Sequence, residues 1–61
     1  MKKQKDLIIG YAKYSNGKTK MSRIFTDPEA FSRWANKQYL KDEEVVITEY
    51  RNWEVYSTWS A

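Results

Sequence analysis

Neither cysteine nor histidine occurs among the 61 residues. Without cysteine no disulfide framework can brace the fold, and without both residues an ordinary zinc site is excluded. The same two absences remove the commonest general base and the commonest strong nucleophile. Serines 15, 22, 32, 57 and 60 have no evident activating base. Glycine is scarce as well: Gly10 and Gly17 are isolated and fall in a strand and a turn, so no phosphate-cradling loop of the P-loop or Rossmann type is present. The longest apolar runs, 7–9 and 45–47, are far too short to cross a bilayer or to form a signal-peptide core. No internal repeat, low-complexity tract or linker interrupts the chain. These absences predict a cytoplasmic, non-enzymatic single domain with no cofactor, no metal, no membrane association and no small-molecule substrate.

Aromatic residues, by contrast, are plentiful: three Trp, five Tyr and two Phe. A chain this short buries only about 60% of the surface that its unfolded form exposes, and each ring accounts for about 150–250 Å². Some rings must build the core, and the surplus is expected on a surface, where apolar clusters mark interaction sites. Eleven Lys and Arg against eight Asp and Glu give a net charge of +3. That excess would assist approach to an acidic partner but is well short of a dense phosphate-neutralising stripe.

Residues 1–6, with three lysines and nothing to bury, read as a flexible basic arm. From Leu7 to Tyr14 the residues are mostly aliphatic, aromatic or small, and Asn16-Gly17 follows, a strong hairpin signal because both residue types accept positive φ. The pattern predicts that residues 7–15 pair with 18–26 around a two-residue loop. Ala12 then faces Met21, Gly10 faces Arg23 and Ile8 faces Phe25 on the core side, where small Gly10 and Ala12 admit a helix. The other side carries Ile9 with Ile24, Tyr11 with Ser22, and Lys13 with Lys20, with Lys18 near the turn.

Thr26-Asp27-Pro28-Glu29 starts a helix in either of two ways: Thr26 as N-cap with Glu29 completing a capping box, or Asp27 as N-cap with Pro28 in the first helical position. Ala30, Phe31, Trp34, Ala35 and then Tyr39 or Leu40 make its buried stripe, with Trp34 assigned to the core. Lys41-Asp42-Glu43-Glu44 is a charged connection. Val45 to Tyr50 and Trp53 to Trp59 read as two further strands joined around Arg51-Asn52. A two-residue loop there sets Glu49 across from Glu54, which is unfavourable, so a three- or four-residue turn stands as the alternative. Both glutamates read as solvated.

The fold class is therefore α+β: one domain of order β-β-α-β-β, an antiparallel four-stranded sheet ordered 2-1-3-4, and one helix on one face. One sheet face stays open. The predicted partner-binding residues are Ile9, Tyr11, Lys13, Lys18, Lys20 and Ser22 on that face, with Tyr56 and Trp59 from the last hairpin.

This layout, with a short charged leader, an Asn-Gly hairpin, the helix Thr-Asp-Pro-Glu-Ala-Phe-Ser-Arg-Trp-Ala and a closing hairpin, resembles the small proteins that bacteriophages make to disable host machines, among them anti-CRISPR proteins and inhibitors of host RNA polymerase. The resemblance lies in layout and carries over no individual residue. It implies a protein-binding inhibitor or adaptor, monomeric or homodimeric, directed at a host protein or nucleoprotein complex such as a CRISPR–Cas assembly or RNA polymerase. A second set of residues, Gly17-Lys18-Thr19-Lys20, Phe25-Thr26, Ala30 and Trp34, is similar to the arm-type DNA-binding domains of phage integrases. That likeness implies a nucleic-acid-binding sheet with Lys13, Lys18, Lys20 and Arg23 on phosphates or bases. A third possibility is self-association through the edge strands, residues 18–26 or 53–59, since exposed edges invite strand addition.

Overall fold

The computed structural model describes residues 6–60. The elements run β1 (Ile8–Lys13), β2 (Thr19–Met21), α1 (Pro28–Lys41), β3 (Val46–Arg51) and β4 (Glu54–Ser60). They form one antiparallel sheet in the order β2-β1-β3-β4, with α1 packed on one face. Fold class and strand order are those expected. Residues 1–5 of the expected arm lie outside the described residues; Asp6 is tied down, its carboxylate 3.5 Å from Arg51 and accepting a hydrogen bond from the Asn52 side chain.

The first hairpin departs from the predicted register by one residue. Its loop has three residues, not two: the Tyr14 N–H donates to the Lys18 carbonyl at 2.8 Å and the Gly17 N–H to the Tyr14 carbonyl at 2.9 Å. Only Gly17 takes a positive φ, 91°. A turn with a single left-handed residue places that burden on glycine alone, and so spares Asn16 the conformation that a two-residue loop would impose. Because strand side chains alternate, the slip inverts β2. Met21 lies opposite Tyr11 and Lys20 opposite Ala12, instead of Met21 opposite Ala12.

The slip is undone before the helix. The Ser22 N–H donates to the Gly10 carbonyl, and the Gly10 N–H donates to Ser22 Oγ at 2.7 Å, so a side-chain oxygen takes the place of a ladder carbonyl. Gly10 therefore pairs with Ser22, not with Arg23. The strand then resumes at the expected Ile8–Phe25 bridge, held by two bonds of 2.7 Å. Regular β2 is accordingly three residues long, where nine were expected.

Helix α1 starts by the second of the two predicted routes. Asp27 is the N-cap, its Oδ1 accepting from the Glu29 N–H at 3.1 Å, and Pro28 opens the helix. Phe31, Ala35 and Gln38 are its buried residues, with Trp34 and Tyr39 partly buried against the core. Leu40 is 87% exposed and drops out of the stripe. Gln38 takes the buried place because its polar atoms are satisfied: Oε1 accepts from the Tyr14 hydroxyl, and Nε2 donates to the Trp34 carbonyl at 3.1 Å.

The core comprises Ile8, Ala12, Phe25, Phe31, Ala35, Val45 and Ile47. Phe31 meets Phe25, Trp34 and Trp59 at centroid distances of 6.3, 5.9 and 6.0 Å. Such aromatic pairs contribute roughly 0.5–1.5 kcal/mol each beyond their buried area. Gly10 makes the close approach possible: a Cβ there would meet Trp34 Cζ3, and would lie 2.8 Å from Phe31 Cε1.

The second hairpin turns on Asn52 and Trp53, one residue later than expected, with φ of 53° and 70°. Two left-handed residues match the twist of a two-residue hairpin loop; asparagine tolerates this readily and tryptophan rarely does so. Arg51 pairs with Glu54, and a one-residue shift between Glu49 and Tyr50 sets Glu49 opposite Ser57, leaving Tyr56 as the extra residue of a bulge. The unfavourable Glu49–Glu54 pairing is thereby avoided. The two sheet rims differ: β2 is short and carries Lys20, whereas β4 runs for seven residues with Glu54 as its single charge.

Candidate functional site

Strand alternation and the observed registers assign side chains to the two sheet faces. The face away from α1 gathers Ile9, Tyr11 and Lys13 from β1, Thr19 and Met21 from β2, Val46, Thr48 and Tyr50 from β3, and Val55 and Thr58 from β4. Met21 and Val55 are 61% and 65% exposed, and Val46 is also exposed. Ile24, in the irregular segment after β2, is exposed too. Ile9 is 6% exposed without belonging to the core beneath the helix, because residues on its own side enclose it. Lys13 is the one charged side chain that the four strands put on this face.

Of the residues expected to bind a partner, Ile9, Tyr11 and Lys13 share this face. The others do not join them. The three-residue turn sends Lys18 and Lys20 to the helix side of the sheet, Lys20 lying opposite buried Ala12. Ser22 is engaged in the β1 edge, where its hydroxyl accepts from Gly10 and donates to the Arg23 carbonyl at 2.7 Å. Arg23 also faces the helix side, its guanidinium 4.8 Å from the Phe25 ring centroid. Trp59 packs edge-on against Phe31 and donates its indole N–H to Glu49 at 3.0 Å. Tyr56, displaced by the bulge, lies beneath Arg51 at 3.9 Å. Met21, Val46, Tyr50 and Val55 replace these residues on the open face. Alternation along β3 could have singled out Val46 and Tyr50; Met21 and Val55 depended on a turn and a bulge.

Glu49 is a correction of a different kind. Expected at a solvated hairpin tip, it is 2% exposed. Its Oε2 accepts from Arg51 Nε at 2.7 Å and its Oε1 from Trp59, so both oxygens of the carboxylate have partners. The hydrogen bond to Glu49 raises the Arg51 pKa above its ordinary value, against a smaller opposing effect of desolvation. At the other end of the sheet Asp42 caps the helix C-terminus. Its carboxylate accepts from the Ser15 N–H and hydroxyl at 2.8 and 2.9 Å and from the Glu44 N–H at 3.0 Å. The Ser15 backbone bond, then the Glu44 bond and the Ser15 hydroxyl, lower its pKa.

No family model, curated protein or solved structure matches this chain. Among the described residues no group of three or more acidic side chains could hold a metal ion, and no helix is long and apolar enough to cross a membrane. The open sheet face carries exposed Met21, Val46 and Val55, and the single helix packs on the opposite face.

Proposed function

We propose that this protein is a non-enzymatic, protein-binding inhibitor or adaptor that docks through its open sheet face. The supporting observation is the concentration on that face of exposed Met21, Val46 and Val55 beside Tyr11 and Tyr50, in a chain whose single helix covers the opposite face only. Contiguous exposed apolar surface of this kind is characteristic of interaction sites. Lys13 decides the kind of occupant. The strands put a cation and no carboxylate on the face, so two copies packed face to face would bury lysines without a counter-ion, at a cost of several kcal/mol per ion. A different protein, apolar with an acidic group opposite Lys13, fits better. The likeness of layout to phage inhibitors directs this reading to a host protein or nucleoprotein complex.

The test is purification from native host cells with the wild-type chain, Tyr11→Ala, Val55→Lys and Lys20→Glu as baits. A protein retained in stoichiometric amount by the wild type and by Lys20→Glu, but lost with Tyr11→Ala and Val55→Lys at unchanged urea midpoints, is the expected outcome. Absence of such a partner, or its retention by both open-face variants, refutes the proposal.

A further inference from the structure

The described residues hold eight cations and eight anions, yet the cations are not evenly spread. Arg51 is paired with Glu49 and Asp6, and Lys13 is on the open face. The other six, Lys18, Lys20, Arg23, Arg33, Lys37 and Lys41, lie along one margin of the molecule, where α1 runs beside β2 and the segment after it. None of them forms an ion pair among the described residues.

Two hollows mark this margin. Arg23, Arg33 and Lys37 surround the first, about 240 Å³, whose apolar wall includes Phe25 and Trp34. Lys18, Lys20 and Lys41 surround the second, about 650 Å³, together with Ser15, Asn16, Thr19 and Tyr14, and the Asp42 carboxylate, engaged by Ser15 and Glu44, is also in its wall. The helical members are spaced i, i+4, i+8, so they form a stripe with a step of about 6 Å that winds about 40° per step. Like charges at that spacing repel one another and destabilise a helix. The facing strand row then adds three more cations. The acidic groups nearest the stripe are at its two ends: Glu29 in the first turn of α1, and Asp42, which is engaged by Ser15 and Glu44.

We infer that this margin is a binding trough for the phosphate backbone of a nucleic acid. Two rows of cations without an ion-pair partner among the described residues, lining hollows that also present hydroxyl and amide groups, fit a regularly charged strand of phosphates. Anchoring an acidic peptide calls for apolar contacts in addition, and the Phe25 and Trp34 rings are largely committed to the core. The trough's cations are on the helix side of the sheet and only Thr19, at the rim, belongs to both surfaces, so the side chains that would hold phosphates are separate from those that would dock a protein. Occupied together, the two surfaces would suit a target that is itself a nucleoprotein.

Fluorescence anisotropy with labelled 20-nucleotide single-stranded DNA, the matching duplex and RNA tests this on the full chain. At 20–50 mM salt the wild type should bind at least one of the three. Six phosphate contacts give a log–log salt slope of about −5 on duplex and about −4 on single strands, so a fourfold rise in salt weakens binding by two to three powers of ten. Lys20→Glu combined with Lys37→Glu should weaken binding at least tenfold, whereas Lys13→Glu should change it less than threefold. No binding at low salt overturns the inference, as does binding unaffected by the trough pair. Equal competition by polyglutamate at matched charge overturns the choice of nucleic acid over acidic protein.

Discussion

Replacing Glu49 by Ala tests whether the buried carboxylate holds the β3–β4 end of the sheet together. The substitution removes a charge-assisted hydrogen bond from Arg51, for which about 1.5–3 kcal/mol is typical, and a bond from the Trp59 indole that contributes about 1 kcal/mol. Losing one packed methylene adds about 0.8 kcal/mol. The Arg51 side chain is 24% exposed, so water recovers part of the first contribution, and the sum falls to about 3 kcal/mol. A domain of this size has a stability near the lower end of the usual range, about 5 kcal/mol, so more than half would be lost. At about 4–8 °C per kcal/mol the melting temperature would drop by roughly 12–24 °C. Urea titrations followed by tryptophan fluorescence and by circular dichroism give the difference directly. Glu49→Gln keeps an acceptor for Trp59 but turns an amide N–H₂ toward Arg51, and should cost about 2 kcal/mol. A loss below about 1 kcal/mol for Glu49→Ala would show that the Asp6–Arg51–Glu49–Trp59 chain is ornamental and would refute the reasoning.

Two further outcomes follow from packing and from charge. Gly10→Val drives a branched side chain into Trp34 and Phe31, and should lower stability by about 1–3 kcal/mol or more, read as a lower urea midpoint. Asp42 binds its proton less tightly in the folded chain than in the unfolded one, so its contribution is complete above the usual carboxylate range and is lost as the pH falls through its lowered pKa. Stability profiles in acid should therefore fall less steeply for Asp42→Asn than for the wild type; superimposable acid limbs would contradict this.

Element order, sheet topology and the identity of the covered face were legible in the sequence because each rests on a signal spanning many residues. Gly10 and Ala12 mark the side that a helix can approach, and Asp27-Pro28 marks where that helix begins. The candidate site was legible along β1 and β3, whose phases are fixed by their own alternation, although only the β1 residues were singled out. On β2 and β4 the outcome depended on single-residue choices. Gly17 alone, not Asn16 with Gly17, takes the left-handed conformation, and this sends Lys18 and Lys20 away from Tyr11. Tyr56 is extruded as a bulge, which carries Glu49 into a buried site opposite Ser57 and keeps Trp59 beside Phe31. A difference of one residue in a loop involves few interactions, yet it exchanges whole faces. Tyr11 and Lys13 therefore remain where the sequence put them, while the expected lysine cluster divides between two surfaces.

The seven-residue outer strand also bears on behaviour in crowded solution. Its outward backbone groups have no guard of lysine or proline, and Val55, Tyr56, Thr58 and Trp59 are all residue types that extended chains favour. Two molecules meeting there head to tail could zip their rims into one continuous eight-stranded sheet. Glu54, far from the middle of the strand, would not meet its own copy in an antiparallel join centred on Ser57. The lysine-bearing rim on the far side resists the same event, so any such growth would stop at a pair instead of running on into a fibre.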